Sequence, residues 1–286
     1  MAAVSVAAVP DVVERSPVGA LLRVWRQRRR LSQFDLALEA DVSPRHVSFI
    51  ETGRSRPSAE MVLHLAEQLA VPLRDRNQLL LAAGYAPAYG QRDLDEPGMG
   101  PVREALDRVL AGHEPYPAVA VDRHWGMVAT NEAVALLIEG VAEHLLEPPV
   151  NVLRLTLHPD GMAPRILNLG EWRAHLLERL GRQAVATGDP ALAALYEELA
   201  ALPGGDPNPP GPELAVTEIA VPLRLRHDAG ELAFISTVTT FGTAVDITVA
   251  ELAVESFFPG DEATATLLRS HASLKRGDRP SSGGRR

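Results

Sequence analysis

Residues 31 to 57 constrain the fold more tightly than any other part of this chain. Ser32-Gln33-Phe34-Asp35 has the form of a capping box with an acid three residues after the serine, and Leu36 and Ala37 follow as the first apolar pair of a helix. Only Ala40-Asp41-Val42 separates that helix from the next, which Ser43-Pro44 opens with an N-cap and a first-turn proline. Val47 and Ile50, three apart, give this second helix one apolar face, and Gly53 ends it. So short a join permits a tight turn and nothing else. The pair must therefore fold back on itself, leaving Arg45, His46, Ser48 and Phe49 at outward positions of a short helix.

The flanking sequence supplies the rest of a small helical domain. Ser16-Pro17 starts a first helix carrying Leu21, Leu22 and Trp25, with Arg26 and a triple arginine at 28–30 toward its end. Further helices are expected over Ser58 to Leu69 and Pro72 to Ala83, stopped by Gly84, with Met61, Val62, Leu65, Leu69 and Leu79 as core. The expectation is an all-α five-helix domain over residues 16–84. Two helices joined by three or four residues, the second presenting polar groups outward, form a unit that fits the DNA major groove. The runs Leu31-Ser32-Gln33-Phe34-Asp35-Leu36-Ala37, Val42-Ser43 and Val47-Ser48-Phe49-Ile50-Glu51-Thr52-Gly53-Arg54, followed by Pro57, resemble the Cro/repressor-type (XRE) helix-turn-helix domain.

That resemblance implies roles. Gln33 corresponds to a glutamine that touches a phosphate and braces the recognition helix, and Glu51 to an acid that pairs with an arginine of the first helix, here Arg26. Ser43, Arg45, His46, Ser48 and Phe49 are expected to face bases or neighbouring phosphates of double-stranded DNA. Arg45 is the candidate for a bidentate guanine contact, worth about 1–3 kcal/mol in discrimination. Arg54 and Arg56 are expected at phosphates, a solvated loop being the alternative. Pro44 and Phe49 stand where several phage repressors have glutamines, so adenine reading there is lost and contact of Phe49 with a thymine methyl becomes available. Two-fold half-sites one helical turn apart, about 34 Å, imply a homodimer.

At 286 residues the chain has room for two modules. Charge divides along the same lines. Residues 15–92 hold twelve arginines against seven acids, whereas residues 93–268 hold ten arginines against 27 acids. A basic head on an acidic body leaves only the head able to approach phosphates. The absence of cysteine excludes disulfides and thiolate chemistry. The apolar stretch Met1 to Pro10 lacks a basic start and is too short for a bilayer, and no later run reaches 18 apolar residues, so a cytoplasmic protein without membrane association is expected. Nine histidines lack paired ligand spacing, and HExxH, GxSxG and GxGxxG are missing, so no enzyme, metal or cofactor is expected.

Residues 1–15 and 272–286 are expected to be disordered tails, and 85–100 a Gly/Pro-marked linker. Within 101–271, Ala118 to Val121 and Met127 to Thr130 form a hairpin around Asp122-Arg123-His124-Trp125-Gly126. Helices are expected from Pro101 to Leu110, from Asn131 toward Ile138, over 171–186 and over 190–202. A Gly/Pro loop at 203–212 follows, then strands over 216–226, 231–240 and 244–254. Five antiparallel strands with helices between the second and third make an α+β domain whose sheet could close over an apolar cavity.

The phrases Pro117-Ala118-Val119-Ala120-Val121-Asp122-Arg123-His124-Trp125, Asn151-Val152-Leu153-Arg154, Glu171-Trp172-Arg173, Phe241-Gly242-Thr243 and Glu255-Ser256-Phe257-Phe258-Pro259 resemble the MmyB-like ligand-binding domain. This resemblance implies a PAS-like fold and a fatty-acid-like ligand. Trp125, Trp172, Phe234 and Phe241 are candidates to line the cavity, with ordinary core packing as the alternative. Asn151, Arg154, His158 and Arg165 surround a compact polar segment where an arginine could hold a ligand carboxylate; helix capping or an ion pair is the other option. The expected function is a sequence-specific transcriptional regulator whose C-terminal domain senses a small apolar ligand; the alternative is a regulator whose C-terminal domain is a dimerisation or partner module without ligand.

Overall fold

A computed structural model describes residues 18–204, 221–242 and 244–277. Expectations for the tail at 1–15, the Ser16-Pro17 helix start, most of the 203–212 loop, the beginning of the strand at Val216, and residues 278–286 lie outside the described residues. The chain divides into two compact units. One runs to Asp93 and takes in residues 181–193 and 242–250; the other holds residues 94–180, 194–241 and 251 onward.

The first unit contains α1 (Val18–Arg28), α2 (Gln33–Glu39), α3 (Pro44–Glu51), α4 (Ala59–Gln68) and α5 (Leu73–Ala82). Its helix starts are those the caps dictate. Ser32 Oγ accepts from Asp35 N at 3.1 Å while the Asp35 carboxylate accepts from Ser32 N at 2.8 Å, which closes the capping box. Ser43 and Ser58 cap α3 and α4 through His46 N at 3.1 Å and Met61 N at 3.2 Å. At the other end of α3, Gly53 adopts φ +72°, the left-handed geometry that lets the chain turn away. Leu22, Leu36, Ile50, Leu65 and Leu79 form one fully buried core. Gly19 sets how closely α1 lies on α3: a Cβ there would overlap the Ile50 carbonyl oxygen.

In the second unit α6 (Gly100–Gly112) precedes the hairpin of β1 (Ala118–Val121) and β2 (Met127–Thr130). Then come α7 (Val134–Leu137), α8 (Val152–Leu157), α9 (Leu169–Thr187), which runs on into the first unit's segment, α10 (Pro190–Ala201), β3 (Leu223–His227) and β4 (Gly230–Thr240). The helical turn α11 (Ile247–Ala250) belongs to the first unit, and β5 (Ala253–Pro259) and α12 (Glu262–Gly277) complete the second. All sheet pairings are antiparallel, in the order β2-β1-β5-β4-β3. With the helices between β2 and β3, this is the PAS-like arrangement. Central β5 pairs with β1 (Val119 opposite Glu255) and with β4 (Val238 opposite Glu255), so position 255 lies in mid-sheet.

Three local readings differ from the structure. The β-branched run at 244–254 is not one strand: Asp246 Oδ1 accepts from Thr248 N at 3.0 Å and starts the α11 turn, so β5 begins only at Ala253. Asn131 does not cap a helix with its side chain. It is buried and braces the hairpin, accepting from Ala118 N at 3.0 Å and donating to Tyr116 O at 2.7 Å. Finally, α12 continues to Gly277, past the edge set at residue 271.

Candidate nucleic-acid interface and ligand cavity

The outward face of α3 is organised around one aromatic ring. Arg45 and Phe49 are one helical turn apart, and the Arg45 guanidinium carbon stands 5.0 Å from the centre of the Phe49 ring; that of Arg54 stands 5.9 Å from it. Arg45, Arg54 and Ser43 are exposed, while His46, Ser48 and Phe49 are half-exposed. Val47 and Ile50, at 1% exposure, take up the opposite face, so the positions left over can only point away from the core. Arg56 donates to Ala83 O at 2.9 Å and lies over the Tyr85 ring, which ties this loop to the end of α5.

Behind the face lies a buried polar brace. Arg26 Nε and Nη2 donate to the two carboxylate oxygens of Glu51 at 2.6 and 2.9 Å, and Gln33 Nε2 donates to Glu51 Oε2 at 2.8 Å. Arg26 Nη1 adds a bond to Leu31 O at 2.7 Å. Burial alone pushes the Glu51 carboxyl up, but the hydrogen bonds from Arg26 and Gln33 outweigh it and hold the group below its usual range. The same pairing raises the Arg26 guanidinium. Three segments, α1, the start of α2 and the end of α3, are thus pinned at one carboxylate. Arg28 and Arg29 donate to main-chain carbonyls of Thr187, Ala186, Leu69 and Ala70 within this unit.

The second unit holds an apolar cavity between the sheet and its helices. Met127, Leu137, Leu153, Met162, Trp172 and Leu176 are among its walls, with Glu255 and Phe257 from β5. Its free space is about 40 Å³. Pockets that bury a drug-sized ligand measure roughly 300–1,000 Å³, so anything larger than a few waters enters only if these side chains move. A second depression of about 490 Å³ is open, and its lining mixes Asp107, Glu114 and Glu132 with Leu110, Ala111 and Pro115. Its acids and solvent-facing walls suit an apolar ligand less well despite the greater volume.

The sequence candidates are dispersed around this cavity. Trp172 lines it. Phe234 is fully buried and meets the cavity residue Phe257 edge to face at 6.3 Å, while Phe241 packs against Leu106, Leu110 and β1. Trp125 is buried beneath the Arg179 guanidinium, 4.3 Å from ring centre to guanidinium carbon. Asn151 caps α8, accepting from Leu153 N and Arg154 N at 3.2 Å and donating to His124 O at 2.8 Å. Arg154 holds Glu198 in a bidentate pair at 2.6 and 2.7 Å, which raises the guanidinium and lowers the carboxyl. Arg165 donates to the carbonyls of Leu136, Leu137, Glu139 and Arg226. His158 ends α8, and its Nδ1 accepts from Asp160 N at 3.0 Å. With His144 and Asp160 it makes the one grouping of metal-ligand side chains among the described residues, and the main-chain bond takes up its Nδ1.

Glu255 and Arg179 stand outside the set of sequence candidates, yet they meet beside the cavity. Glu255 is 4% exposed and accepts from Arg179 Nη1 at 3.1 Å. A signal existed: an acid at 255 two positions from Phe257 on one strand face, and an arginine seven positions after Trp172 on one helix face.

A family model described as "MmyB-like transcription regulator ligand binding domain" matches residues 102–270, and one described as "Helix-turn-helix domain" matches residues 17–79. Among solved structures, "Structure of an RNA-binding Light-Oxygen-Voltage Receptor" aligns at 14% identity and a TM-score of 0.26. The alignment covers 91% of this chain and 64% of that one, so this chain spans less than two thirds of that protein's length; at that TM-score the likeness fixes neither fold nor function. Comparison with curated proteins gave no match. Among the described residues, no helix is long and apolar enough to cross a membrane.

Proposed function

The chain belongs to the family of transcription regulators with an MmyB-like ligand binding domain, and from that premise we propose a sequence-specific DNA-binding regulator in which α3 reads bases and the apolar cavity takes a small apolar or fatty-acid-like ligand. The observation that carries this reading is the outward face of α3, where Arg45 and Arg54 flank Phe49 above a fully packed inner face. Arg45 contacts guanine, and Phe49 meets a thymine methyl. Ser43, His46 and Ser48 contact flanking groups, Arg54 and Arg56 hold phosphates, and Gln33 supports α3 through Glu51 while reaching the backbone of the duplex. The protein acts as a homodimer in the cytoplasm.

Ligand control follows from linkage. A ligand alters operator affinity only to the extent that it binds the DNA-competent arrangement differently from its alternative. The small free volume supports such a scheme, because an occupied cavity must differ in side-chain arrangement from the one described here. The same volume favours a second reading, in which the domain is a dimerisation or partner module without ligand. Native mass spectrometry of the full chain bound to a selected duplex tests both. Two chains per duplex and a co-purified or saturably added acyl compound support the sensor; two chains without any small molecule support the partner module.

A further inference from the structure

Two buried donors of one guanidinium have no acceptor among the described residues. They are Arg179 Nε and Nη2, which share the edge that matches the two oxygens of a carboxylate. In Arg26 and Arg154 this same edge is filled, by Glu51 at 2.6 and 2.9 Å and by Glu198 at 2.6 and 2.7 Å. In Arg179, among the described residues, only Nη1 is engaged, with Glu255 Oε1 at 3.1 Å. A buried charged donor left without a partner is costly, so the edge has a standing affinity for an acceptor.

Its position ties it to the cavity. Trp172, Leu176 and Arg179 fall on one stripe of α9 at intervals of four and three residues, and the first two line the cavity, as does the Arg179 partner Glu255. Trp172 Nε1 is also buried and without an acceptor among the described residues, although Trp172 is only 2% exposed. The plane of the guanidinium is fixed by the Trp125 ring at 4.3 Å. Trp125 itself holds φ +66°, a left-handed conformation that a bulky residue adopts only when its surroundings impose it. Asp122 Oδ1, accepting from His124 N at 2.8 Å and Gly126 N at 2.7 Å, and Asn151, donating to His124 O, supply that constraint.

We propose that the Nε/Nη2 edge of Arg179 anchors the carboxylate of the ligand, whose apolar body lies along Leu176 and Trp172. The proposal rests on the reading of the cavity as a ligand site and narrows the ligand to a monocarboxylic acid with an uncharged apolar body. Glu255 already neutralises Arg179, so one added carboxylate leaves the buried cluster singly anionic and a dicarboxylate is rejected. Seven residues of helix span about 10 Å, which suits a medium-length chain, and Met127 and Met162 are the flexible wall residues able to make room for it.

Calorimetric titration of the full chain with octanoic acid, methyl octanoate and octanol, for the wild type and Arg179→Lys, tests this. Lysine keeps a cation beside Glu255 but lacks the two-pronged edge. The expected result is at least tenfold tighter binding of the acid than of the ester or alcohol, with that preference reduced in Arg179→Lys, whose ammonium offers a point charge in place of the two-pronged edge. Equal binding of acid and ester by the wild type, or parallel weakening of both by the variant, overturns the Arg179 anchor while leaving the ligand-site reading intact. Binding of none of the three overturns both. Should the variant fail to fold, octanoic acid labelled with carbon-13 at the carboxyl gives the answer on the wild type. A labelled carboxyl carbon in dipolar contact with a nitrogen-15-labelled arginine side chain, the contact vanishing when only the chain end of the acid is labelled, supports the anchor, and no such contact contradicts it.

Discussion

Arg26 and Glu51 stand 25 residues apart in sequence and meet through two hydrogen bonds of 2.6 and 2.9 Å, with their side chains only 10% and 3% exposed. The pair joins the end of the first helix to the last residue of the helix proposed to read DNA, so it braces the recognition geometry from behind. Removing one partner of a buried ion pair leaves an uncompensated charge and costs about 3–5 kcal/mol. Glu51→Ala is therefore expected to raise amide hydrogen exchange across α1 and α3 by orders of magnitude while leaving the β5 amides of the full chain protected. Unchanged protection in α3 would show that the brace is dispensable.

The same pair gives a pH dependence with a definite sign. The Glu51 carboxyl lies below its usual value in the folded chain, so its stabilisation is complete above the unfolded carboxylate value of about 4.3 and is lost as pH falls through the lower folded value. Between neutrality and about pH 5, α3 protection should hold steady, then decline in acid. Glu51→Gln should flatten that acid decline, a comparison made by exchange at a series of pH values.

Two glycines separate close packing from open space. A Cβ at Gly19 would overlap the Ile50 carbonyl, whereas one at Gly112, the last residue of α6, meets nothing within 4 Å. Gly19→Ala should destabilise the first unit by about 1–3 kcal/mol through overpacking and weaken DNA binding. Gly112→Ala should be neutral or stabilising by up to about 1 kcal/mol. Thermal unfolding of both variants decides the point; equal effects would contradict the packing argument.

Arg45 and Arg54 share the Phe49 ring but are expected to differ in what they report. Arg54→Ala should weaken binding to every duplex by a similar factor and flatten the salt dependence of affinity, the signature of a lost phosphate contact. Arg45→Ala should relax preference at one base pair. Fluorescence anisotropy against matched and singly substituted duplexes at several salt concentrations distinguishes the two.

What could be read from the sequence was local. Ser32, Ser43-Pro44, Ser58 and Gly53 announce their helix ends because each cap is made within three or four residues of itself, and the same holds for Asn151 at α8, left open between cap and ligand contact. The β-branched run at 244–254 misled because Asp246 turns the chain through a side-chain bond that composition does not reveal. Arg179 and Glu255 are 76 residues apart, and only the closing of the sheet over α9 makes them neighbours. The free edge of Arg179 is visible only as a difference from Arg26 and Arg154, whose sequence context looks no less polar.

The most direct test is selection of duplexes from a random pool by the full chain at moderate ionic strength, run in parallel with Arg45→Ala. The expected outcome is an enriched two-fold motif with a guanine at a fixed position in each half, and loss of that guanine alone in the variant. Recovery of no preferred duplex by the wild type, or of the same guanine by Arg45→Ala, would contradict it.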